Sequence, residues 1–580
     1  MTSPAATTRI NELNEAERPA RELLEKLGYE FVAAPVLNQE RSGKRDVLLE
    51  GRLAAALRRL NPWMTDDHVS RAIFALRNVA ATGIGRNQTI HEYLTYGMPL
   101  DVDEPGGRRT RTVHFFDFDY PEPGRGKNEY VVTTQMRVMR AGERDDSSVK
   151  DDDQRHIIPD LVLFVNGIPL VVIEAKSATL ISDVWKAWAV RQLLRYQAPK
   201  GAPELFDYNL MCVAISGSAA AYAAVGAPEK AYAPWKLEPV AAAEARARYA
   251  VEPRGQAELI VGLLAPATLL DILRDFVVFE PEQGRLIKKL PRYQQYRAVH
   301  NAMARILRGA KPEERGGVVW HTQGSGKSLT MLWLATKLRR EQRLDNPMIV
   351  IVTDRTQLDR QISETFRRCG FPSPERATRS RPKEREQAPS SDRKHWYERD
   401  RRSSQAPQPD LQTLLRDGQG RTIMTTIQKF EEAVETPAGS LEVLNPASNL
   451  IVIIDEAHRT QYGLIAAKMR KALPNATFIG FTGTPIDKGF KRSTMGKFGP
   501  LIDRYDIKQS VEDKATVPIY YEARLPDLAI VGPESVDRLF ERVFAKESPE
   551  VRDRIKRRYA TKELLAEANQ RIQQIICCPI

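Results

Sequence analysis

The chain holds only four cysteines in 580 residues, two of them adjacent at Cys577 and Cys578. So few thiols cannot staple a disulfide framework, and their spacing matches no zinc-binding pattern; a reducing cytoplasm is the expected setting. Nowhere do apolar residues run uninterrupted for the roughly 18 positions that a membrane helix needs, so no membrane span is expected. The opening stretch MTSPAATTRINELNEAERPA has no basic region followed by an apolar one, which argues against a secretory signal. There is also no acidic excess: 87 Lys and Arg against 75 Asp and Glu leave a net charge of +12. That balance suits a polyanionic partner, because cationic side chains release counterions when they neutralise phosphates. A generally basic proteome would give the same balance. The hydrophobic fraction of 42% is ordinary for a globular protein, and the length exceeds what one core can organise, so two or more domains are expected.

Residues 10 to 30 carry helical periodicity, with Leu23, Leu24 and Leu27 on one face and Gly28 as the stop. From 110 to 176 the pattern turns to strands: VHFFDF, YVVTTQMRV, LVLFV and LVVIEAK, with a charged loop between the second and third. A helical stretch over 181–197 and a buried strand in NLMCVAIS complete a mixed α/β unit ending near 245. Between about 260 and 525, the runs VVWHT, MIVIVTD, TIMTTI, NLIVIIDE and ATFIGFTG alternate with helical stretches. Short apolar strands separated by helices indicate a parallel sheet covered on both faces. Residues 371–410 interrupt this run with six prolines, six serines, and ten basic against seven acidic residues. Such a composition cannot assemble a core, and a disordered insertion is expected there; a DNA-contacting loop is the alternative. Residues 526–580 read as a mainly helical tail.

Gly324-Ser325-Gly326-Lys327-Ser328 follows a strand and opens a helix. Backbone N–H groups and the helix dipole then point at an anion and form a phosphate cradle. Lys327 would reach the β- and γ-phosphates of ATP, and Ser328 would hold Mg²⁺. The first glycine of the usual pattern is missing, because His321 stands there. Downstream, Asp455 ends a buried strand where it can meet the same Mg²⁺, and Glu456 beside it can orient and deprotonate water.

A second constellation precedes this one. Glu174 and Lys176 are two apart on a strand and share a face, while Asp160 begins the preceding strand across an Asn166-Gly167 turn. Oxygen ligands at Asp160 and Glu174 would hold Mg²⁺ against a scissile phosphate. Parity adds a condition. A plain two-residue turn pairs Val165 with Ile168 and sends Asp160 to the face opposite Glu174, so a catalytic reading needs a longer loop or one bulge. Gln192 and Tyr196 lie one helical turn apart on the next helix. A structural hairpin and an ordinary amphipathic helix would produce the same residues.

The later motifs resemble superfamily 2 helicases and translocases: Arg292-Tyr293-Gln294, Thr322 through Ser328, Asp455-Glu456-Ala457-His458 and Thr482-Gly483-Thr484-Pro485. The resemblance implies adenine recognition at Gln294, and ATP binding at Thr322, Gly324, Ser325, Gly326, Lys327, Ser328, Asp455 and His458. It also implies coupling at Thr482 and Thr484, and DNA backbone contacts at Thr353, Arg355, Thr425 and Thr426. The earlier set resembles the PD-(D/E)xK nuclease fold with a Q-xxx-Y helix, in which an acid on the first helix often assists; Glu17 and Glu22 are the candidates. The order nuclease then motor resembles the restriction (R, motor) subunit of type I restriction-modification enzymes, in stretches such as PDLVLFVNGIPLVVIEAKS and WHTQGSGKSLTM.

This implies an N-terminal nuclease domain over 1–245 and one RecA-like motor lobe over 260–525. It implies ATP and Mg²⁺ as cofactors, and double-stranded DNA plus methyltransferase and specificity subunits as partners. The implied activity is ATP-driven translocation, with cleavage of unmodified DNA away from the recognised site. After VPIYYEARLP no arginine-rich motif of a second lobe is evident, so a fragment, a truncated product or half of a split subunit is expected. A superfamily 2 repair helicase without nuclease activity, and a DNA- or partner-binding component without ATP turnover, are the alternatives.

Overall fold

In the computed structural model, residues 13–105, 107–143, 153–177, 184–353, 362, 364–367, 375–376, 411–417, 420–434, 443–457, 462–485, 494–518 and 536–559 are described. The chain forms one compact unit over Met1–Thr516 and a second over Val517–Ile580. In the second, the described elements are helices Val536–Val543 and Pro549–Tyr559.

The N-terminal part opens on a π-helical turn, Leu13–Glu17, running into helix α1 (Arg18–Lys26), which buries Leu23 and Leu24. Gly28, at φ +100°, lets the chain reverse just beyond α1. Strand β1 (Glu30–Phe31) is followed by helix α2 (Glu50–Leu60) and then by β2 (Tyr130–Thr134), β3 (Leu161–Val165) and β4 (Ile168–Ala175). Helix α3 (Val184–Gln197), β5 (Met211–Ile215) and β6 (Ala220–Ala224) complete a six-stranded mixed sheet ordered β1-β2-β3-β4-β5-β6. Every residue of β3, β4 and β5 is buried, as expected of strands covered on both faces. VHFFDF, read above as a strand, contributes only Val113 to one. Phe115 and Phe116 are buried, but Asn61 Oδ1 accepts the His114 N–H and Asn166 donates to the Phe115 carbonyl, so side chains replace ladder partners.

The β3–β4 hairpin carries the irregularity that parity demands. Val165 pairs with Ile168 and Phe164 with Pro169, but Leu163 pairs with Val171, leaving Leu170 as a one-residue bulge. Asn166 (φ 50°) and Gly167 (φ 79°) supply the two left-handed residues of a tight hairpin turn. Asn166 is fully buried, and its side chain bonds the Phe115 carbonyl, Asn128 and the Glu129 N–H, each at 2.9 Å. A Cβ on Gly167 would lie 2.5 Å from the Leu49 carbonyl at the start of α2.

The C-terminal part of the same unit contains helix α4 (Tyr293–Arg308), β7 (Gly317–His321), helix α5 (Lys327–Arg340) and β8 (Met348–Thr353). It continues with β9 (Glu375–Arg376), β10 (Thr422–Thr426), β11 (Leu450–Ile454), β12 (Thr477–Thr482) and β13 (Leu501–Tyr505). All pairings are parallel, in the order β9-β10-β8-β11-β12-β7-β13. The sequence pattern missed β13, because LIDRY is a short edge strand whose centre holds two adjacent charges, Asp503 and Arg504, in place of an apolar run. Of the expected insertion 371–410, Glu375–Arg376 forms the opposite edge strand, and the remainder lies outside the described residues.

The two sheets are tied through their connector. The Tyr222 hydroxyl donates to the Pro291 carbonyl, Trp235 packs on Tyr296 with ring centres 5.3 Å apart, and Lys236 pairs with Asp513. Among the described residues no single helix is long and apolar enough to cross a membrane. The apolar pair Gln256–Leu263 and Pro266–Asp275, bent by 64°, is instead buried in the core.

Candidate functional sites

Because of the bulge, Asp160 continues the register opposite Glu174, immediately beyond the Leu161–Ile173 pair. Asp160 Oδ2 accepts the Ala175 N–H at 2.7 Å, so the first acid is bonded directly between Glu174 and Lys176. Lys176 Nζ donates to Glu174 Oε1 and to the Ala175 carbonyl, both at 2.8 Å. Glu174 is fully buried and its Oε2 has no hydrogen-bond partner. Burial, followed by the neighbouring Asp160 charge, pushes the Glu174 carboxyl well above its ordinary value. Burial also raises Asp160, against the pull of Lys176. Two desolvated carboxyls with an orphaned oxygen between them fit a divalent cation, which would supply the missing positive charge. Among the described residues no three acidic, His or Cys side chains close into a metal cage. One or two carboxylates with open positions is the arrangement Mg²⁺ prefers.

The structure separates the two helix acids. Glu22 is exposed and paired with Arg18 at 2.9 Å, whereas Glu17 is buried at the end of the π-helical turn. Glu17 Oε2 and Asp160 Oδ1 both accept from Gln135 Nε2 at 3.0 Å, a residue that the sequence reading passed over. No sequence signal marked it: YVVTTQMRV reads as one strand, whereas the structure ends β2 at Thr134 and gives Gln135 φ 55°. Gln192 Nε2 donates to the Tyr196 hydroxyl at 2.6 Å, and that hydroxyl donates to the Ile158 carbonyl at 3.1 Å. These two therefore brace the segment entering Asp160. Burial and then the Glu174 charge hold the Tyr196 phenol neutral.

In the parallel sheet, Gly324 and Gly326 take φ 82° and 84°, turning the loop before α5 begins at Lys327. Lys327 Nζ reaches the His321 carbonyl at 3.5 Å and Glu456 at 3.9 Å. A Cβ on Gly483 would lie 3.4 Å from Lys327 Nζ and 3.2 Å from the Gln323 nitrogen. The cradle, the Asp455-Glu456 turn and the Thr482–Thr484 turn therefore meet at the C-terminal ends of β7, β11 and β12, where ligands of open α/β sheets bind. Asp455 is buried and its N–H donates to the Val352 carbonyl at 2.9 Å; Ser328 is half-buried in the first turn of α5. Glu456 takes φ 51°, a left-handed conformation that is rare for a non-glycine and recurs at functional sites. Thr482 Oγ1 accepts the Thr484 N–H at 3.2 Å. Ser325 Oγ closes the loop onto the Thr322 carbonyl at 2.6 Å.

Gln294 is fully buried, and neither of its amide atoms has a hydrogen-bond partner among the described residues. Its neighbour Gln295 is the one that touches the cradle, donating to the Ser325 and Gly326 carbonyls at 3.2 Å each. His321 replaces the missing glycine because it is an interior strut: its Nε2 meets Asp503 Oδ2 at 2.7 Å, and Asp503 also binds Arg297 at 2.6 Å. Burial lowers its pKa.

Thr353, Thr425 and Thr426 end paired strands but are buried, so their side chains are not presented as surface groups for DNA, in contrast to the expectation above. Arg355 and His458 lie outside the described residues.

Residues 9–231 match the family described as type I restriction enzyme R protein N terminus, and residues 294–553 match SWI2/SNF2 ATPase. The chain belongs to the R proteins of type I restriction enzymes. It is 33% identical over 540 residues to the type I restriction enzyme HindI endonuclease subunit of Haemophilus influenzae, covering 88% of this chain and 46% of that one. It is 30% identical over 578 residues to a putative MjaIXP endonuclease subunit of Methanocaldococcus jannaschii, covering 96% and 50%. A second subunit of that organism, putative MjaVIIIP, is 28% identical over 504 residues, covering 83% and 43%. The R-protein chain thus spans about half the length of these curated relatives.

Proposed function

We propose that this R-protein chain supplies the nuclease site and an ATPase lobe of a type I restriction enzyme. ATP-driven movement along double-stranded DNA would bring unmodified DNA to a Mg²⁺-dependent cutting site, away from the sequence recognised. That sequence would be read by a specificity subunit assembled with a methyltransferase subunit. The observation that carries the nuclease reading is the pairing of two buried carboxyls, Asp160 and Glu174, across a bulged hairpin and beside Lys176. In an irregular but purely structural hairpin, two desolvated carboxyls side by side would cost free energy without return.

The roles follow from placement. Asp160 and Glu174 would hold Mg²⁺, which would draw in the scissile phosphate and acidify a water. Lys176 keeps an ammonium beside Glu174, where it favours the charged carboxylate and a nearby hydroxide. Gln192 and Tyr196 fix the approach of the strand that carries Asp160. In the ATPase lobe, Lys327 and the cradle N–H groups bind phosphate, Ser328 and Asp455 would hold Mg²⁺, and Glu456 orients water. The net charge of +12 supports a DNA partner.

The test is metal-dependent cutting of DNA by the chain and by Glu174→Gln. Cutting lost in the variant, with nucleotide binding kept, supports the assignment. Cutting that survives in Glu174→Gln would return Asp160, Glu174 and Lys176 to a structural role and favour a repair-helicase reading.

A further inference from the structure

Gln135 has no part in the roles assigned so far, yet its placement is costly and specific. It directly follows β2 and takes φ 55°, a conformation that disfavours non-glycine residues. Its own N–H donates to the Asp160 carbonyl at 3.0 Å, which fixes the backbone against the start of β3. The side chain is thereby delivered between two segments that the sequence keeps far apart. An amide nitrogen carries two hydrogens, and Gln135 Nε2 bonds one carboxylate from each segment, Glu17 and Asp160. Glu174, with its orphaned oxygen, completes the acidic side of the site.

The choice of an amide is informative. A lysine or arginine here would neutralise the acids and compete with a cation for them. An alanine would let two buried like charges move apart. A neutral donor holds both carboxylates in one place and leaves their charge for a metal ion.

Resting on the nuclease reading above, we propose that Gln135 is the positioning residue of the cation seat: it locks the Asp160 carboxylate and joins Glu17 to the site as its outer carboxylate. The nuclease centre then depends on a residue that need touch neither metal nor DNA. Partners of this kind around metal ligands change affinity or activity by about 10–100-fold when removed.

The experiment titrates Mn²⁺ into the full 580-residue chain without nucleotide, and takes as the site the binding that Glu174→Gln removes. Gln135→Gly suits the left-handed backbone and deletes only the side chain, so folding should be kept, as the thermal melt and circular dichroism will show. Gln135→Asn also tolerates that backbone and keeps the amide, but is one methylene too short to span both acids. The expected result is a rise of about tenfold or more in the Mn²⁺ midpoint for both variants. The metal dependence of DNA nicking should shift in parallel, with the rate at saturating metal much less affected. Glu17→Gln should raise the midpoint in the same direction. If Gln135→Gly and Gln135→Asn fold and bind Mn²⁺ at the wild-type midpoint, the positioning role is overturned while the nuclease reading stands. If the wild-type chain shows no Mn²⁺ binding sensitive to Glu174→Gln, the nuclease reading falls and the seat falls with it.

Discussion

In the N-terminal sheet the acids belong to the hydrogen-bonded body of a mixed sheet, whereas in the C-terminal sheet they sit just beyond the strand ends of a parallel one. Glu174 is paired within the β4–β5 ladder and fully buried, and Asp160 bonds the backbone of Ala175. Lys327 opens helix α5 directly after the glycine loop and Glu456 stands on the turn beyond β11, neither fully buried, with a gap of 3.9 Å between them. The first arrangement raises carboxyl pKa values and fixes geometry through strand register. The second leaves its groups at a helix start and a strand end, outside any ladder that would fix their spacing. If the proposed roles hold, the cutting centre is prearranged and the nucleotide pocket is responsive.

The sharpest way to break that contrast is to disable each site separately. Glu174→Gln should lower metal-dependent cleavage by about 10³-fold or more, since losing several kcal/mol of metal-based stabilisation corresponds to that factor. Nucleotide affinity should be unchanged in a filter or fluorescence assay. Lys327→Ala should do the reverse, abolishing measurable nucleotide binding while nicking at saturating Mn²⁺ persists. Loss of both functions in either variant would mean that the two sites are one cooperative device.

Next in size is the turn that sets the register. Gly167→Ala places a Cβ against the Leu49 carbonyl at a φ that alanine resists, and should cost about 1–3 kcal/mol in denaturant unfolding. Gly324→Ala, also at positive φ but with only Thr516 nearby at 3.4 Å, should cost less in stability and show its effect in nucleotide binding. Equal destabilisation by the two would show that the hairpin turn is under no tighter constraint than the cradle.

The two halves should also differ towards pH. Glu174 and Asp160 have carboxyls raised above the unfolded values of 4.5 and 3.8, so without metal the native state holds more protons than the unfolded chain. Stability from these groups is then present below the unfolded values and declines as pH rises through and above them. Glu174→Gln should therefore stabilise the metal-free protein more at pH 8 than at pH 5. A variant equally stable relative to wild type at both values would contradict the burial argument. The smallest expected effect is at Gln295. Losing its two bonds to the cradle, each worth about 0.5–1.5 kcal/mol, should weaken nucleotide binding by roughly 5–150-fold without touching nicking.

What could be read in advance follows the same division. Strands β3, β4, β5, β8, β11 and β12 are apolar runs whose burial dictates their conformation, and the need for a hairpin bulge followed from counting residues. VHFFDF failed as a strand because Asn61 and Asn166, distant in sequence, take its backbone partners. The choice between Glu17 and Glu22 depended on which face of a π-helical turn meets the sheet, and a period of 3.6 does not carry that information. Gln295 was passed over for Gln294 because both sit at the start of one helix, and only the tertiary fold decides which faces the cradle. Thr353, Thr425 and Thr426 are expected at the DNA backbone by resemblance alone; that they finish paired strands and are buried is a tertiary fact no local pattern carries.

The extra residue at Leu170 makes this hairpin a counting device. With the turn held at two residues by Asn166 and Gly167, one insertion or deletion between positions 160 and 174 shifts the phase and turns an acid from the cleft to the opposite side. Two such changes on the same hairpin can restore it. A single-codon slip there would part Asp160 from Glu174 while leaving the parallel sheet and its Lys327 cradle untouched.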